Sequence, residues 1–260
     1  MSDIVKTEAV VLRSMKYRET SKIVTFYTRN FGKVKAIAKG ARQSKSKFGS
    51  SLEPMSYVLA VLHRKEHRVL QLISQCDLIK PFRHLSEDLA KIAVCMSAIE
   101  LIDKVSHDEE KNEKLFRLLL DVLSAANSAT KKPWNLLYGF EIQLAGILGF
   151  QPNFEKCVLC GKAVLIGNDH STLVAFHLGK GGPLCSSCSE HVGFKARISS
   201  DALRILAQLA GLRTMEAIAD LGFIESHKEE IEGFLLRFLQ FHIDGLQNLK
   251  AEKVLSRILA

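Results

Sequence analysis

The sequence lacks the long apolar runs by which membrane proteins are recognised. No stretch of about 18 consecutive apolar residues occurs, so no transmembrane helix is predicted. The first six residues, from Met1 to Lys6, also lack the apolar core of a signal peptide. Cysteine is scarce, and four of the six cysteines fall into C-x2-C pairs, which suits a reducing compartment better than a disulfide framework. We therefore expect a cytoplasmic protein that contacts no membrane.

Common catalytic motifs are absent as well. The sequence contains no H-E-x-x-H, no G-x-S-x-G and no complete phosphate-binding P-loop. His107-Asp108-Glu109 forms an H-x-E upstream of two C-x2-C pairs, as in zinc nucleobase deaminases. A deaminase requires proline directly before its cysteine pair, whereas Lys156 and Leu184 stand there. We therefore predict that the protein is not an enzyme.

Positive charge is concentrated at the amino terminus. The chain carries 36 Lys and Arg against 28 Asp and Glu. Residues 1–50 contain 12 of these cations and only 3 of the anions, while the remaining residues contain 24 cations and 25 anions. A net charge of +9 in one segment favours a polyphosphate ligand such as nucleic acid. A merely solvated surface is the alternative interpretation of a charge run.

Within this segment, charge alternates with apolar residues. Lys33, Lys35 and Lys39 share one face of a predicted strand, and Val34, Ala36 and Ala38 share the other. A Gly- and Ser-containing loop follows and carries further cations, namely Arg42, Lys45 and Lys47. The pattern predicts a cationic strip that continues into a cationic loop.

Residues 1–80 are predicted to form a five-stranded oligonucleotide-binding (OB-fold) barrel. Short segments rich in β-branched and aromatic residues predict its strands at residues 5–12, 23–28, 32–38, 57–63 and 69–76. Aromatic side chains can stack on bases in such barrels, and Phe48 and Tyr17 are the better candidates because they lie in predicted loops.

Residues 81–260 are predicted to form a helical domain, which makes the fold class α+β. Apolar residues recur at helical spacing after Pro81, and the same pattern resumes beyond the cysteines. Ser86 is predicted to cap the first helix, Pro133 to open a third, and Ser226 with Glu229 to form a capping box. Residues 157–188 then read as a small insertion in this domain.

Four cysteines of the insertion predict a metal site. The two C-x2-C pairs are separated by 24 residues and consist of Cys157, Cys160, Cys185 and Cys188. Four thiolates around one Zn2+ leave no open position to activate water, so one structural zinc ion per chain is expected. A redox-active dithiol is the alternative.

Several segments together resemble the bacterial RecO recombination mediators. The likeness rests on residues 17–23, on Gly32-Lys33-Val34, and on the loop residues 39–46. It continues through residues 148–152 into Cys157-Val158-Leu159-Cys160-Gly161 and ends at residues 237–242 and 253–257. The resemblance implies an OB-fold barrel joined to a helical domain with a zinc-binding insertion.

The resemblance also implies a function. RecO-like proteins bind single- and double-stranded DNA, anneal complementary strands, and with RecR help RecA replace single-strand-binding protein during repair. It therefore implies a nucleoid-associated protein whose partners are DNA, RecR, single-strand-binding protein and, indirectly, RecA. The expected DNA-binding residues are Arg18, Lys33, Lys35, Lys39, Arg42, Lys45 and Lys47. The alternative from another class is an RNA-binding protein such as a ribosome-associated factor.

Overall fold

The computed structural model describes residues 3–65, 68–164, 172–193, 195–221 and 225–246. These residues fall into two compact units, residues 3–128 and residues 129–246. The two units are described in turn. No helix of the described residues has both the length and the apolar character that a membrane span requires.

The first unit is built around a closed five-stranded barrel. Its strands are β1 (Asp3–Tyr17), β2 (Ser21–Thr28), β3 (Gly32–Ala38), β4 (Tyr57–Arg64) and β5 (Gln71–Lys80). They are ordered β1-β2-β3-β5-β4, and β4 pairs with β1 to close the ring. All pairs are antiparallel except β3 with β5. This order confirms the predicted OB-fold.

Alternation along the strands fills the barrel. Val34, Ala36 and Ala38 of β3 are buried, and the residues between them point outward. Phe26 of β2 and Leu62 of β4 are fully buried in the same cluster. The alternating pattern therefore assigned the two faces of β3 correctly.

Two helices complete the first unit, α1 (Leu89–Val105) and α2 (Glu113–Ser128). Asp88 caps α1, because its carboxylate accepts a hydrogen bond from the amide of Ala90, so the predicted cap at Ser86 is wrong by two residues. Arg29 at the end of β2 links β1 to α2 through Glu8 at 3.2 Å and Glu113 at 3.1 Å.

The second unit is mainly helical. It contains α3 (Trp134–Ile147), α4 (Ser186–Ser189), α5 (Ser200–Gly211), α6 (Met215–Asp220) and α7 (Lys228–His242). Helix α3 packs against α5, α6 and α7. Pro133 lies at the cap of α3, close to its predicted first position. The capping box predicted at Ser226 is wrong, since the residue before α7 is His227 and makes no side-chain cap.

A small sheet in this unit was not predicted. Its strands are β6 (Leu173–His177), β7 (Gly182–Leu184) and β8 (Ala196–Ser199), in the order β7-β6-β8. Phe176 of β6 meets Phe234 of α7 edge to face, with ring centroids 4.8 Å apart. The sheet is therefore anchored in the apolar core of the second unit.

Candidate nucleic-acid interface and metal centre

The loop between β3 and β4 is a folded structure that presents cations. Phe48 and Leu52 are buried in the barrel core and fix the loop from beneath. Backbone hydrogen bonds form successive turns, from Gln43 to Gly40 at 3.1 Å and from Ser46 to Gln43 at 3.0 Å. The loop therefore holds its charged side chains on a rigid base.

Five cations share the end of the barrel formed by this loop and the β1–β2 turn. The Arg42 guanidinium donates to the carbonyl oxygen of Arg18 at 2.9 Å, which joins the turn to the loop. All five side chains are exposed, and none forms an ion pair with a described residue. We call this set the basic surface: Arg18, Lys39, Arg42, Lys45 and Lys47.

Lys33 and Lys35 are placed differently. The Lys33 side chain is 12% exposed, and its ammonium donates to the carbonyl oxygen of Asp103 at 2.7 Å and pairs with the Asp103 carboxylate at 3.6 Å. Lys35 is 42% exposed and pairs with Asp108 at 3.2 Å. The structure thus brings five of the seven predicted residues together as free cations and gives the other two carboxylate partners.

No local signal in the sequence indicated these pairings. Asp103 lies in the last turn of α1 and Asp108 in the α1–α2 loop, 70 and 73 positions from their lysine partners. A strand pattern reports which face is exposed but not which later segment covers it.

The aromatic side chains lie mostly inside the barrel. Phe48 is 4% exposed and belongs to the barrel core, so it is no longer a candidate for stacking on bases. Tyr17 is half-buried, and the Arg18 guanidinium lies 5.3 Å from its ring centroid. Tyr17 therefore stays a candidate, as part of a cation and ring pair beside the basic surface.

The four predicted metal ligands converge. The sulfur atoms of Cys157, Cys160, Cys185 and Cys188 all lie within 4.8 Å of one another, with 3.7 Å between those of Cys160 and Cys185. Four sulfurs placed tetrahedrally at a Zn–S length of about 2.3 Å would be roughly 3.8 Å apart. The site therefore has the size that one metal ion requires.

Backbone hydrogen bonds shape both cysteine pairs. The amide of Gly161 donates to the carbonyl of Cys157 at 2.8 Å, and Gly161 has φ +73°, a conformation that favours glycine. Ser189 donates to Cys185 at 2.9 Å in the second pair. Val158 donates to Pro183 at 3.1 Å and so links the two pairs directly. Sequence spacing predicted the ligands but not this link.

The surroundings of the site favour the thiolate form of Cys157 but oppose that of Cys188. Burial opposes ionisation of Cys157, but backbone N–H groups of Cys185, Cys160 and Leu159 outweigh it and lower the pKa of that thiol to about 6. Interaction with the Cys185 thiol, together with burial, raises the pKa of Cys188 to about 12. A cation among the four sulfurs would favour the thiolate form of the whole set.

Four sulfur ligands are typical of a structural metal site, not of a catalytic one. Four sulfur ligands complete a tetrahedron and leave no position for a substrate or an activated water. Among the described residues, these cysteines are the one group of His, Cys, Asp or Glu side chains with metal-binding geometry.

Comparison with known proteins matches both units. The family model "Recombination protein O N terminal" matches residues 1–82, and "Recombination protein O C terminal" matches residues 86–251. The resembling segment 253–257 lies outside the described residues.

Relatives match over nearly their full length, and each is named "DNA repair protein RecO". The protein of Chloroherpeton thalassium is 33% identical over 259 residues, which covers 98% of each chain. That of Salinibacter ruber is 32% identical and covers 98% of this chain and 94% of its own. That of Caldanaerobacter subterraneus subsp. tengcongensis is 31% identical, with 92% and 93% covered. The chain therefore belongs to the RecO family of recombination proteins.

Proposed function

We propose that this chain is a DNA repair and recombination mediator that binds single- and double-stranded DNA and anneals complementary strands. With RecR, it would promote the loading of RecA onto DNA coated by single-strand-binding protein. Family membership supports the repair and recombination role. The specific activities and partners form the finer part of the proposal.

The observation that carries the DNA-binding proposal is the basic surface. Its five cations are exposed and lack ion-pair partners among the described residues, so a ligand need not displace protein carboxylates to reach them. Lys22 beside them is already paired with Glu53 at 2.6 Å. Free cations on a rigid loop suit phosphate contacts, which depend on charge and not on base sequence.

The same surface offers a mechanism for annealing. Two single strands repel each other through their phosphates. Cations that neutralise phosphates on both strands lower this repulsion and keep the strands close together, so that base pairing can nucleate. The protein contributes screening and proximity, and pairing between the bases supplies the sequence specificity.

The metal is proposed to be Zn2+ in a structural role. The all-sulfur donor set and the absence of an open coordination position both support this identity. Zinc would hold the two cysteine pairs together in a segment with little core of its own.

Charge reversal tests the DNA-binding proposal. In Lys45→Glu/Lys47→Glu, affinity for single-stranded DNA and the rate of strand annealing should both fall by at least tenfold at low salt, because two phosphate contacts become repulsive. Fluorescence anisotropy and a quenched-fluorophore annealing assay measure the two effects.

The matched control is Lys114→Glu/Arg213→Glu, which makes the same charge change at exposed positions outside the basic surface. It should retain most of the affinity. Equal losses in both variants would show that net charge, not the basic surface, determines binding. Binding to RNA but not to matched DNA would contradict the proposal itself.

The partner proposal requires a separate assay. RecA filament formation on DNA coated with single-strand-binding protein should accelerate when this chain and RecR are added together. No acceleration with both proteins present would remove the mediator role while leaving DNA binding intact.

A further inference from the structure

An acidic segment, Asp108–Glu110, lies along the first half of β3. Strand β5 pairs with β3 only at Ala36 and Ile37, which leaves the beginning of β3 without a neighbour on that side. The acidic segment takes this place. Asp108 forms a parallel bridge with Lys33, and the amide of Glu109 donates to the Lys33 carbonyl at 2.9 Å.

The carboxylates of this segment form ion pairs with cations of the barrel. Asp108 lies 3.2 Å from the Lys35 ammonium, and Glu109 lies 3.2 Å from the Arg64 guanidinium. Beside them is an open cavity of about 270 Å³ whose lining includes Lys35, Arg68 and both carboxylates. The arrangement places negative groups where a phosphodiester backbone would otherwise meet a row of cations.

The ion pairs on β3 differ in exposure, and the Lys33 ammonium also lies 3.9 Å from the Asp108 carboxylate. Lys33 and Asp103 are 12% and 14% exposed, so their pairing is part of the interior. Lys35 and Asp108 are 42% and 53% exposed, and pairs of this kind are weak because water and salt screen them. A polyanion can therefore compete for Lys35 while Lys33 remains fixed to α1.

Strand β3 leads from Lys35 directly to the basic surface. Strand β3 ends at Ala38, and Lys39, a member of the basic surface, follows directly. A nucleic-acid strand bound at Lys39 and extending along β3 would reach Lys35 next and then meet the acidic segment.

We propose that Asp108 and Glu109 act as an internal phosphate mimic that masks a second backbone-binding site on the barrel, formed by Lys35 and Arg64. Nucleic acid bound at the basic surface displaces the carboxylates from these two cations and so lengthens its own binding site. This inference rests on the proposed function, because it requires nucleic acid at the basic surface.

Neutralisation of the mask tests the inference. In Asp108→Asn/Glu109→Gln the backbone bridge is kept and the charges are removed. Affinity for single-stranded DNA at low salt should rise about fivefold, consistent with the loss of the weak Lys35–Asp108 pair and the partly buried Arg64–Glu109 pair. The slope of log K against log salt should steepen by about 1, since up to two further phosphates are contacted.

The control variant Glu87→Gln/Glu216→Gln removes the same charge at exposed positions. Its slope should equal that of the unaltered protein. A second arm adds Lys35→Ala: it should change the slope little in the unaltered protein and remove about half of the steepening in the unmasked variant, because Arg64 remains. A slope unaffected by Asp108→Asn/Glu109→Gln, or steepened equally by the control, would overturn the inference.

Hydrogen exchange gives a readout that requires no substitution. The Glu109 amide is protected by the Lys33 carbonyl, so its exchange should accelerate when a saturating oligonucleotide is added. Unchanged or greater protection would show that the segment stays in place and would contradict the mask. Failure of the unaltered protein to bind DNA would instead contradict the proposed function, so the two failures are distinguishable.

Discussion

Gly32 meets two demands at the start of β3. Its φ is +62°, and a Cβ at this position would collide with the carbonyl oxygen of Glu110. Glycine therefore satisfies both the turn and the close approach of the acidic segment. The sequence places Gly32 at the start of a predicted strand, but it gives no sign of the close approach of Glu110, since Glu110 is far away along the chain.

Gly32→Ala should lower the free energy of unfolding by about 2 to 4 kcal/mol, because conformational strain and a backbone collision add together. Gly49→Ala is the matched comparison: Gly49 has φ +51° but nothing within 4 Å of its Cβ position. It should cost about 1 kcal/mol. Urea denaturation measures both, and equal costs would show that the Glu110 contact adds no strain.

Glu232 in α7 should make stability depend on pH. Its carboxylate accepts a hydrogen bond from the Tyr138 hydroxyl at 3.0 Å. Burial raises the pKa of Glu232, although Lys228 and Tyr138 oppose the effect. The folded state therefore holds the proton more tightly than the unfolded state, and stability falls as pH rises from the ordinary value of 4.5 through the raised pKa.

Glu232→Gln keeps an acceptor for Tyr138 and removes the charge. It should flatten this part of the stability profile, whereas Glu216→Gln, at an exposed position in α6, should leave it unchanged. Thermal unfolding at a series of pH values measures the difference. A profile that Glu232→Gln leaves unaltered would contradict the assignment.

At the scale of elements, the regular pattern of each segment decided what could be predicted. The five barrel strands were found because alternation and hairpin turns are local properties. Their ends were less certain: β1 runs five residues past the predicted end, to Tyr17, and β5 extends to Lys80. The sheet of β6, β7 and β8 escaped prediction because strands of three to five residues are too short to show a period.

The metal centre is the element whose loss should have the largest effect. Structural zinc supplies on the order of 10 kcal/mol to folding. Cys157→Ser should therefore abolish stoichiometric metal and expose residues around β6 and β7 to proteolysis. Chelation of the unaltered protein should do the same. Elemental analysis and limited proteolysis are the measurements.

Cys95→Ala serves as the control for this prediction. Cys95 is a buried thiol in α1 and lies outside the four-cysteine cluster. The variant should keep one metal ion per chain. A Cys157→Ser protein that remained compact without metal would contradict the structural role.

At the scale of the whole molecule, the distribution of free charge is the property that the sequence predicted least well. The excess of cations in residues 1–50 was visible in the sequence, and five of the seven predicted residues form the basic surface. Lys33 and Lys35 do not join it, because each pairs with a carboxylate that lies far away in the sequence. Composition gives the total charge, whereas folding determines how much of it remains free.

Salt dependence measures the free charge directly. Five phosphate contacts predict a slope of log K against log salt of about −3.5 on single strands, since each contact contributes roughly −0.7. Titrations between 50 and 200 mM salt would measure it. A slope near zero would contradict the basic surface, and similar values for unrelated DNA sequences are expected because phosphates carry no sequence information.

The pairing of Lys33 with Asp103 also has a consequence for synthesis on the ribosome. Strand β3 emerges early, but the carboxylate that neutralises Lys33 follows 70 residues later, after the entire barrel has left the exit tunnel. During that interval the nascent barrel exposes Lys33, Lys35 and the open edge of β3. Until α1 is complete, the growing chain therefore carries an unpaired Lys33 and a strand edge that is open to strand addition by a neighbouring polypeptide.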